Sequence, residues 1–452
     1  MKIRELAEVT GAEINLSKEI LDKDIRISTD TRTIQKGDFY LPLKGESFDG
    51  EKFIDQALEK GAIGTFCTTI PPYPLTGTSP SRGADKLLLK VPDTLTAYLQ
   101  LANYRRNKIN PTVVAVTGSS GKTTTKELVA SVLGEKYRTF KTPLNHNNEI
   151  GFCQTIFEMP DDTEVLVLEM GMRGLGEIEL LSKYAEPDIS IICNVGTAHI
   201  GRLGSRENIA KAKCEIVKHQ KGGKWKNCFI AHDDELIKKT VEFNGEKIYY
   251  SISDVDIIER SANHSKFRYQ GNEYELNVGG DYNIENSLAA INAGGKLGLS
   301  VNEIQNGLKK YHPIEKRWEG VNAGGYEIIN DSYNANPESM RAFVDSIFDL
   351  YENYTLVLGD MGELGINEVQ YHKELGEYIN NHKKLNPKTT VITIGALSEN
   401  ISEEIKNCRS IHFEDISQAV KFIKQNIPKD SKIFLKASRS MKFEKIIDNL
   451  NI

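Results

Sequence analysis

The chain has 452 residues, of which 27% are charged and 39% are hydrophobic, a composition typical of globular proteins. Its formal net charge of −6 argues against a general nucleic-acid-binding protein, which would present a basic face. No apolar run reaches the ~18 residues of a membrane span, and the N-terminal residues lack the apolar core of a secretory signal. We therefore expect a cytoplasmic protein that has no membrane span and does not bind nucleic acid.

At roughly 150 residues per domain, the length predicts three domains. The six cysteines are scattered without a CxxC pair, so we expect reduced thiols rather than zinc ligands or disulfides. We place the first domain at residues 1–108. It carries short strand-like pieces such as 38–43 and a helix pattern over 53–60, and its proline-rich stretch 71–80 is typical of a surface loop.

The second domain, residues 109–312, contains short apolar segments at 113–116, 165–168 and 189–193, separated by helix-type segments. This alternation predicts a doubly wound, mostly parallel α/β sheet. Ligands of such sheets bind beyond the carboxyl ends of the strands. Polar residues that directly follow each predicted strand are therefore candidates for ligand binding.

The turn after the first of these strands has the composition of a phosphate-binding loop. It contains two glycines, a lysine and four hydroxyl residues: Gly118, Ser119, Ser120, Gly121, Lys122, Thr123 and Thr124. Glycines let backbone N–H groups approach phosphates, and the next helix adds its positive end. Lys122 would reach the β- and γ-phosphates, and Thr123 would offer its hydroxyl to Mg²⁺. The loop departs from a strict Walker A pattern, because Val116 stands where the first glycine is usual. A turn that binds nothing is the alternative, but the strand before Gly-Lys-Thr-Thr favours a nucleoside triphosphate.

Three further polar residues lie at or beyond the ends of the next two predicted strands. Glu169 ends its strand, where a carboxylate suits Mg²⁺, although a helix cap or a surface acid is equally consistent. His199 follows the third strand and is a candidate ligand or orienting group. Lys213 lies in a helical stretch, where the usual alternative is a solvated face.

Two asparagines, Asn283 and Asn286, are spaced i, i+3 and so share one face of a predicted helix. Paired amides can supply the donor and the acceptor that an adenine edge needs. Helix capping by Asn283 is an equally good explanation of the motif alone.

The third domain, residues 313–452, has apolar segments at 355–358, 391–394 and 433–435, again separated by helical stretches. It is predicted to be a second, Rossmann-like α/β domain, and a cleft between two such domains is a common place for a site. Arg317 suits bidentate binding of phosphate, and Asp331 suits ribose hydroxyls or a metal-bound network.

The motifs together resemble the Mur ligase family of ATP-dependent, amide-forming ligases, and the resemblance covers nearly the whole chain. It is carried by TGSSGKTTTKE (117–127), NHNNEIG (145–151), EMGMRGLGEI (169–178), NVGTAHIGRLGS (194–205), AKAKCEI (210–216) and GDYNIENSLAA (280–290). The resemblance implies three α/β domains: a small UDP-binding N-terminal domain, a central phosphate-loop ATPase domain and a C-terminal Rossmann-like domain.

Four further stretches resemble the family member that joins D-alanyl-D-alanine to UDP-N-acetylmuramoyl-tripeptide. They are STDTRTIQKGDFYLPLKGESFDGEKF (28–53), DSYNANPESM (331–340), GDMGELG (359–365) and KASRSM (436–441). The implied reaction uses ATP to phosphorylate the peptide carboxylate, and the dipeptide amine then attacks the acyl phosphate. A sibling that adds a single amino acid and a folylpolyglutamate synthetase remain alternatives, which NHNNEIG and DSYNANP disfavour. A nucleotide-binding protein that has lost catalysis would show damage at the catalytic positions, and these are intact.

The resemblance also implies residue roles. Mg²⁺ would bind Thr123 and Glu169, and a second Mg²⁺ would lie near His199 and a carbamylated Lys213. Lys122 and Arg317 would neutralise phosphate charge. The amides of Asn283 and Asn286 would face adenine, and Asp331 would face the ribose.

The substrates would be bound by residues from all three domains, and we expect a monomer. The resemblance implies Asp30, Arg32, Lys44 and Asp49 for the UDP-sugar. It implies Asn334, Asn336, Ser438 and Arg439 around the dipeptide and the acyl end, and Asn145 and Asn148 as further substrate contacts. Three residues depart from the usual pattern of the family: Glu51 replaces a histidine, Gly201 replaces an acid and Ala437 replaces a glycine. These departures leave the proposed catalytic groups in place and concern the fine geometry of the substrate contacts.

Overall fold

The computed structural model describes residues 1–12, 21–45, 48–69, 87–143, 146–221, 227–261, 263–314 and 316–451. The proline-rich stretch 71–80 and Asn145 therefore lie outside the described residues. The chain divides into two compact units. The first comprises Met1–Pro111 and Glu149–Asp161, and the second comprises Thr112–Asn148 and Asp162–Ile452.

The first unit contains a four-stranded parallel sheet in the order β1-β2-β3-β4. Its strands are β1 (Ile27–Ser28), β2 (Phe39–Tyr40), β3 (Gly64–Cys67) and β4 (Leu87–Lys90). Its helices are Ile3–Thr10, Ile54–Glu59, Thr94–Ile109 and Glu149–Glu158, with a 3₁₀ turn at Gly50–Phe53. Strand β3 begins with Gly64 because a Cβ there would lie 2.5 Å from both Phe39 and Leu87 side-chain atoms.

The second unit begins with a six-stranded parallel sheet in the order β10-β9-β8-β5-β7-β6. Its strands are β5 (Thr112–Thr117), β6 (Thr139–Lys141), β7 (Val165–Glu169), β8 (Ile189–Ile192), β9 (Cys228–His232) and β10 (Glu246–Tyr250). The central strands are buried on both faces, as expected for apolar runs in a parallel sheet. The strand order reverses at β5, and such a switch point is the place where doubly wound sheets bind ligands.

Helices and a small antiparallel sheet cover this parallel sheet. The helices are Lys122–Leu133, Glu177–Ala185, Ile200–Leu203, Arg206–Cys214, Glu235–Thr240, Asp281–Lys296 and Val301–Lys310. The antiparallel sheet consists of β11 (Val255–Arg260), β12 (Ser265–Tyr269) and β13 (Asn272–Leu276).

The rest of the second unit is built on another six-stranded sheet in the order β14-β15-β19-β16-β17-β18. Its strands are β14 (Glu319–Ala323), β15 (Tyr326–Asn330), β16 (Tyr354–Gly359), β17 (Thr390–Ile394), β18 (Arg409–Phe413) and β19 (Lys432–Lys436). Only β14 runs antiparallel to its neighbour among these described strands. The helices are Pro337–Leu350, Glu368–Asn380, Glu399–Glu404, Ile416–Asn426 and Glu444–Leu450.

The predicted α/β class with mostly parallel sheets is confirmed. The domain boundaries at 108/109 and 312/313 stay predictions, because the two compact units are divided at other residues. All six cysteines are unpaired, and five of them are buried. No helix among the described residues is long and apolar enough to cross a membrane.

An aromatic cluster on β19 joins the last sheet to its surroundings. The ring of Phe434 lies 5.0 Å from that of Tyr351 and 6.2 Å from that of Trp318, measured between centroids. Trp318 also packs edge-on against Tyr282 on the helix Asp281–Lys296, at 5.6 Å. The cluster therefore connects the last six-stranded sheet to a helix that covers the other six-stranded sheet.

We expect Phe434→Ala to destabilise the protein by roughly 3–5 kcal/mol, because a buried phenylalanine leaves a cavity among rigid aromatic neighbours. Urea unfolding followed by circular dichroism would measure the change. The control is Ile366→Ala, since Ile366 is 100% exposed and should change stability by no more than ~0.5 kcal/mol. Equal effects of the two substitutions would contradict the described core.

Candidate active site

The phosphate loop leaves β5 and turns sharply into the helix Lys122–Leu133. Gly121 has a φ of +75°, and a Cβ on it would lie 2.5 Å from Asn286 Oδ1. A Cβ on Gly118 would lie 2.8 Å from Cys193 Cβ. Both positions therefore require glycine, one of them for its backbone conformation as well as for space.

Asn194, which follows β8, holds the phosphate loop in place. Its Oδ1 accepts hydrogen bonds from the N–H groups of Ser119 (3.1 Å) and Ser120 (2.9 Å). The N–H of Gly196 donates to Ser119 Oγ at 2.9 Å. The backbone N–H groups of the two serines thus bind Asn194. The N–H groups available to phosphates are those at the start of the helix, from Lys122 onward, because they have no acceptor within the helix. Asn194 begins the NVGTAHIGRLGS motif, but the sequence did not predict this role for it.

Lys122 folds back over the loop that precedes it. Its Nζ donates to the carbonyl oxygen of Gly118 at 2.9 Å. Burial lowers the pKa of Lys122, and the nearby Glu169 partly offsets this effect. A partly buried ammonium group at this turn favours binding of an anion.

Arg317 extends from the segment before β14 to the phosphate loop. Its Nη2 donates to Thr123 Oγ1 at 2.9 Å, and its guanidinium lies 4.0 Å from the ring centroid of Tyr333. The residues on either side, Lys316 and Trp318, both have left-handed backbones, with φ of +62° and +55°. The Nε of Arg317 is buried and has no hydrogen-bond partner among the described residues. This strained, incompletely paired arrangement is typical of a group that binds a ligand.

Glu169 is 8% exposed at the end of β7. Its Oε1 accepts a hydrogen bond from Asn147 Nδ2 at 3.0 Å, and its N–H donates to Thr142 Oγ1 at 3.0 Å. The second carboxylate oxygen has no hydrogen-bond partner among the described residues. An oxygen ligand of this kind suits Mg²⁺, which also retains waters. Asn147 was not predicted as a site residue, although it lies within the NHNNEIG motif.

His199 and Lys213 lie in very different surroundings. His199 has a φ of +65°, and its Nδ1 lies 2.6 Å from Glu363 Oε2. The hydrogen bond to His199 lowers the pKa of Glu363 despite partial burial. Lys213 is 1% exposed, so the solvated-face alternative is excluded. Burial, together with repulsion from Lys122, holds the pKa of Lys213 well below its ordinary value.

The two helix asparagines are buried and make contacts within the protein. Asn283 Nδ2 donates to the carbonyl oxygen of Gly279 at 2.7 Å. Asn286 Oδ1 accepts from Thr125 Oγ1 at 3.2 Å and packs on Gly121. Both contacts are structural, and the adenine role of the pair stays a prediction.

Asp331 is held by two partners at the start of the DSYNANP loop. Its Oδ1 accepts from the N–H of Trp318 at 3.2 Å, and its Oδ2 accepts from Lys436 Nζ at 2.5 Å. Lys436, which ends β19, is buried and was missed in the sequence. The pair places Asp331 near Arg317, while a ribose contact stays a prediction.

The substrate candidates of the C-terminal region divide into exposed and structural residues. Asn334 and Arg439 are exposed, and Arg439 pairs with Glu444 at 3.1 Å. Asn336 caps the helix Pro337–Leu350 by accepting from the N–H of Ser339. Ser438 is buried, and its N–H donates to the carbonyl oxygen of Asp360 at 3.0 Å.

In the first unit the candidate residues lie on exposed loops. Arg32 makes a bidentate ion pair with Asp30, which lowers the pKa of Asp30. Lys44 and Asp49 form an isolated β-bridge, and Asp49 accepts from the N–H of Glu51 at 3.1 Å. Asn148 is described in the second unit, next to Asn147, but no binding role for it follows from the structure.

The three departures from the family pattern are each accommodated by local packing. Glu51 Oε1 accepts from the N–H of Thr68 at 2.6 Å. A Cβ on Gly201 would lie 2.6 Å from the backbone nitrogen of Gly365, so an acid there would collide with this neighbour. Ala437 packs against Gly359, where a Cβ would lie 2.7 Å from its methyl group.

A phosphate loop at the switch point of a parallel sheet, contacted by an arginine from the segment before the second six-stranded sheet, defines a nucleotide-dependent α/β enzyme. The Mur ligase middle domain model matches residues 116–294, and the Mur ligase glutamate ligase domain model matches residues 316–439. The chain belongs to the Mur ligase family.

Curated relatives and solved structures agree with this assignment. The UDP-N-acetylmuramoyl-tripeptide–D-alanyl-D-alanine ligase of Bacillus subtilis is 38% identical over 94% of this chain and 92% of its own length. A crystal structure of MurF from Acinetobacter baumannii matches with a TM-score of 0.86 at 28% identity, covering 99% of this chain and 98% of that one. A MurF ligase from Thermotoga maritima in complex with ADP matches with a TM-score of 0.79 at 27% identity, covering 94% and 97%.

We expect Lys122→Ala to lower turnover by at least about 10²-fold, because it removes a preorganised charge from the phosphate loop. Thermal unfolding should stay near that of the wild type, since Lys122 is only partly buried. Lys310→Ala, at an exposed ion pair with Glu135, serves as the control and should leave turnover unchanged. Full activity of the Lys122 variant would refute the assignment of the phosphate loop.

Proposed function

We propose that the protein is an ATP-dependent, ADP-forming ligase that adds D-alanyl-D-alanine to UDP-N-acetylmuramoyl-tripeptide, giving the UDP-muramoyl-pentapeptide precursor of peptidoglycan. The observation that carries the proposal is the hydrogen bond from Arg317 to Thr123, which brings both α/β domains to the phosphate loop. The near-full-length similarity to ligases of this specificity supports the choice of substrates. The relative solved with ADP supports a nucleotide at this loop.

The reaction activates a carboxylate, which is a poor electrophile until one of its oxygens becomes part of a leaving group. A carboxylate oxygen of the tripeptide attacks the γ-phosphorus of ATP, and ADP leaves. The dipeptide amine then attacks the acyl carbon, loses a proton, and expels inorganic phosphate as the amide forms. Lys122 and Arg317 neutralise the charge of the transferring phosphoryl group, where positioning and electrostatics dominate catalysis.

The donor set of the site fits Mg²⁺ when the free oxygen of Glu169 and the hydroxyl of Thr123 are its protein ligands. When bound there, Mg²⁺ would neutralise charge on the β- and γ-phosphates. No group of three or more His, Cys, Asp or Glu side chains able to hold a metal occurs in the part of the chain that the structure describes. A second Mg²⁺ near His199 would therefore need a further oxygen ligand, which Lys213 provides only after modification.

Carbamylation of Lys213 is part of this proposal. CO₂ reacts only with a neutral amine, and an ordinary lysine with a pKa of ~10.4 is rarely neutral at pH 7. Lys213 is buried and forms no ion pair with the described residues, so its neutral form is favoured. The carbamate turns an unpaired buried cation into an oxygen ligand that a nearby metal would stabilise.

The remaining assignments are also proposals. We propose that the domains are residues 1–108, 109–312 and 313–452. Asp30, Arg32, Lys44 and Asp49 would contact the UDP-sugar, and Asn334 and Arg439 are the accessible candidates for the peptide substrates. The protein would act as a cytoplasmic monomer, where ATP and nucleotide-linked precursors are available.

The first test is phosphate release with ATP, Mg²⁺ and UDP-N-acetylmuramoyl-tripeptide, with and without D-alanyl-D-alanine. We expect release to require the dipeptide, because the acyl phosphate needs an amine to attack it. Mass spectrometry should detect the UDP-muramoyl-pentapeptide. A response only to a single amino acid would instead indicate a sibling ligase.

The carbamate is tested by ¹³C NMR of the protein equilibrated with ¹³C-labelled bicarbonate. The wild type should show one slowly exchanging carbamate resonance, because the modified side chain is shielded from solvent. The resonance should be absent in Lys213→Ala and present in Lys211→Ala, an exposed lysine on the same helix. A spectrum that is identical for all three proteins would contradict the modification.

A further inference from the structure

A single carboxylate of the C-terminal region contacts the loop that holds the phosphate loop. Glu338 lies in the first turn of the helix Pro337–Leu350. Its Oε2 accepts a hydrogen bond from Thr197 Oγ1 at 2.9 Å. Glu338 lies within the DSYNANPESM stretch, but the sequence did not predict a role for it.

Steric evidence independently places the same side chain on the loop. A Cβ on Gly196 would lie 2.8 Å from both Cδ and Oε2 of Glu338. The carboxylate therefore occupies the space that any larger residue at position 196 would need. Glu338 thus contacts two adjacent residues of the loop, and it restrains the backbone at Gly196 as well as the side chain of Thr197.

The segment 194–197 connects this contact to the phosphate loop. Asn194 binds the amides of Ser119 and Ser120, and the N–H of Gly196 binds Ser119 Oγ. A restraint on Thr197 and Gly196 is thereby transmitted to the phosphate loop through hydrogen bonds of 3.1 Å or less. Among the described residues, the contacts of Glu338 are with Thr197 and Gly196 and not with the residues proposed to bind ATP.

The helix that carries Glu338 is firmly placed. Asn336 caps it, with reciprocal hydrogen bonds to Ser339, and Pro337 occupies its first turn. The preceding loop is anchored by the ion pair of Asp331 with Lys436. These contacts fix the start of the helix, and with it the position of the Glu338 carboxylate.

We infer that Glu338 is a positioning residue through which the C-terminal α/β region holds the 194–197 loop, and with it the phosphate loop, in the geometry that binds ATP. The inference rests on the proposed ATP-dependent reaction. It adds a coupling that the reaction itself does not require: the phosphate loop is ordered only while the helix Pro337–Leu350 is docked against the 194–197 loop. Glu338 acts through Thr197 and Gly196 and is not a catalytic residue.

The test compares Glu338→Ala and Glu338→Gln with the wild type. The alanine variant should raise the KM for ATP by about three- to tenfold, as expected for loss of one restraining hydrogen bond of ~1 kcal/mol. The KM for D-alanyl-D-alanine should change less than twofold. The glutamine variant keeps an oxygen acceptor for Thr197 and should stay within twofold of the wild type for both. An unchanged KM for ATP in the alanine variant would overturn the inference.

A double-mutant cycle tests whether Glu338 acts through Thr197. If it does, Thr197→Val and Glu338→Ala should each raise the KM for ATP, and the double variant should be no worse than the more impaired single variant. Additive effects would overturn the proposed route. The matched control is Glu399→Ala, an exposed glutamate in the first turn of the helix Glu399–Glu404, which should leave both KM values unchanged.

Hydrogen exchange of the substrate-free proteins gives a readout that does not depend on activity. Glu338→Ala should accelerate exchange in peptides containing residues 118–121 and 194–197 and leave the remainder unchanged. Global acceleration would mean general destabilisation and would overturn a positioning role. A wild type without dipeptide-dependent turnover would refute the proposed function. The exchange pattern tests the positioning role of Glu338 separately, because it does not depend on turnover.

Discussion

The close packing of the phosphate loop against its neighbours is the constraint on which the rest of the site depends. Gly118 lies against Cys193, and Gly121 lies against Asn286, with no space for a side chain at either position. The residue that follows β8 and the helix Asp281–Lys296 therefore both pack directly on the loop. Ligand-binding amides are therefore positioned by tertiary contacts, and not by the glycine-rich sequence alone.

Positive charge accumulates around this loop with few compensating acids. Burial lowers the pKa of both Lys122 and Lys213, and the charge of Lys122 lowers the pKa of Lys213 further. Arg317 reaches the same loop, and its Nε has no hydrogen-bond partner among the described residues. Removing cations from water without nearby counter-charges is unfavourable. A polyanionic nucleotide bound at the loop and conversion of Lys213 into a carbamate would each reduce this cost. The electrostatics of the protein without ligand thus favour the proposed chemistry.

The residues that sequence reasoning missed are mostly partners of those that it found. Asn147 orients Glu169, Lys436 holds Asp331, and Asn194 holds the serines of the loop. Each partner is distant in sequence from the residue it supports, so neither spacing nor periodicity connects the two. Conversely, Asn336 was predicted to contact substrate, and the structure uses its side chain as a helix cap. Cap and ligand chemistry require the same amide, which is why the motif alone did not separate them.

The sequence by itself determined the class of fold and the position of the phosphate loop. Apolar strand segments alternating with helices produce a parallel sheet, and a glycine-rich turn with a lysine after a strand has few other uses. The sequence did not determine which polar groups face a ligand and which face one another. The tertiary structure decided that for Asn286, Ser438 and Lys213, because burial and hydrogen bonding depend on contacts between segments that are far apart in the chain.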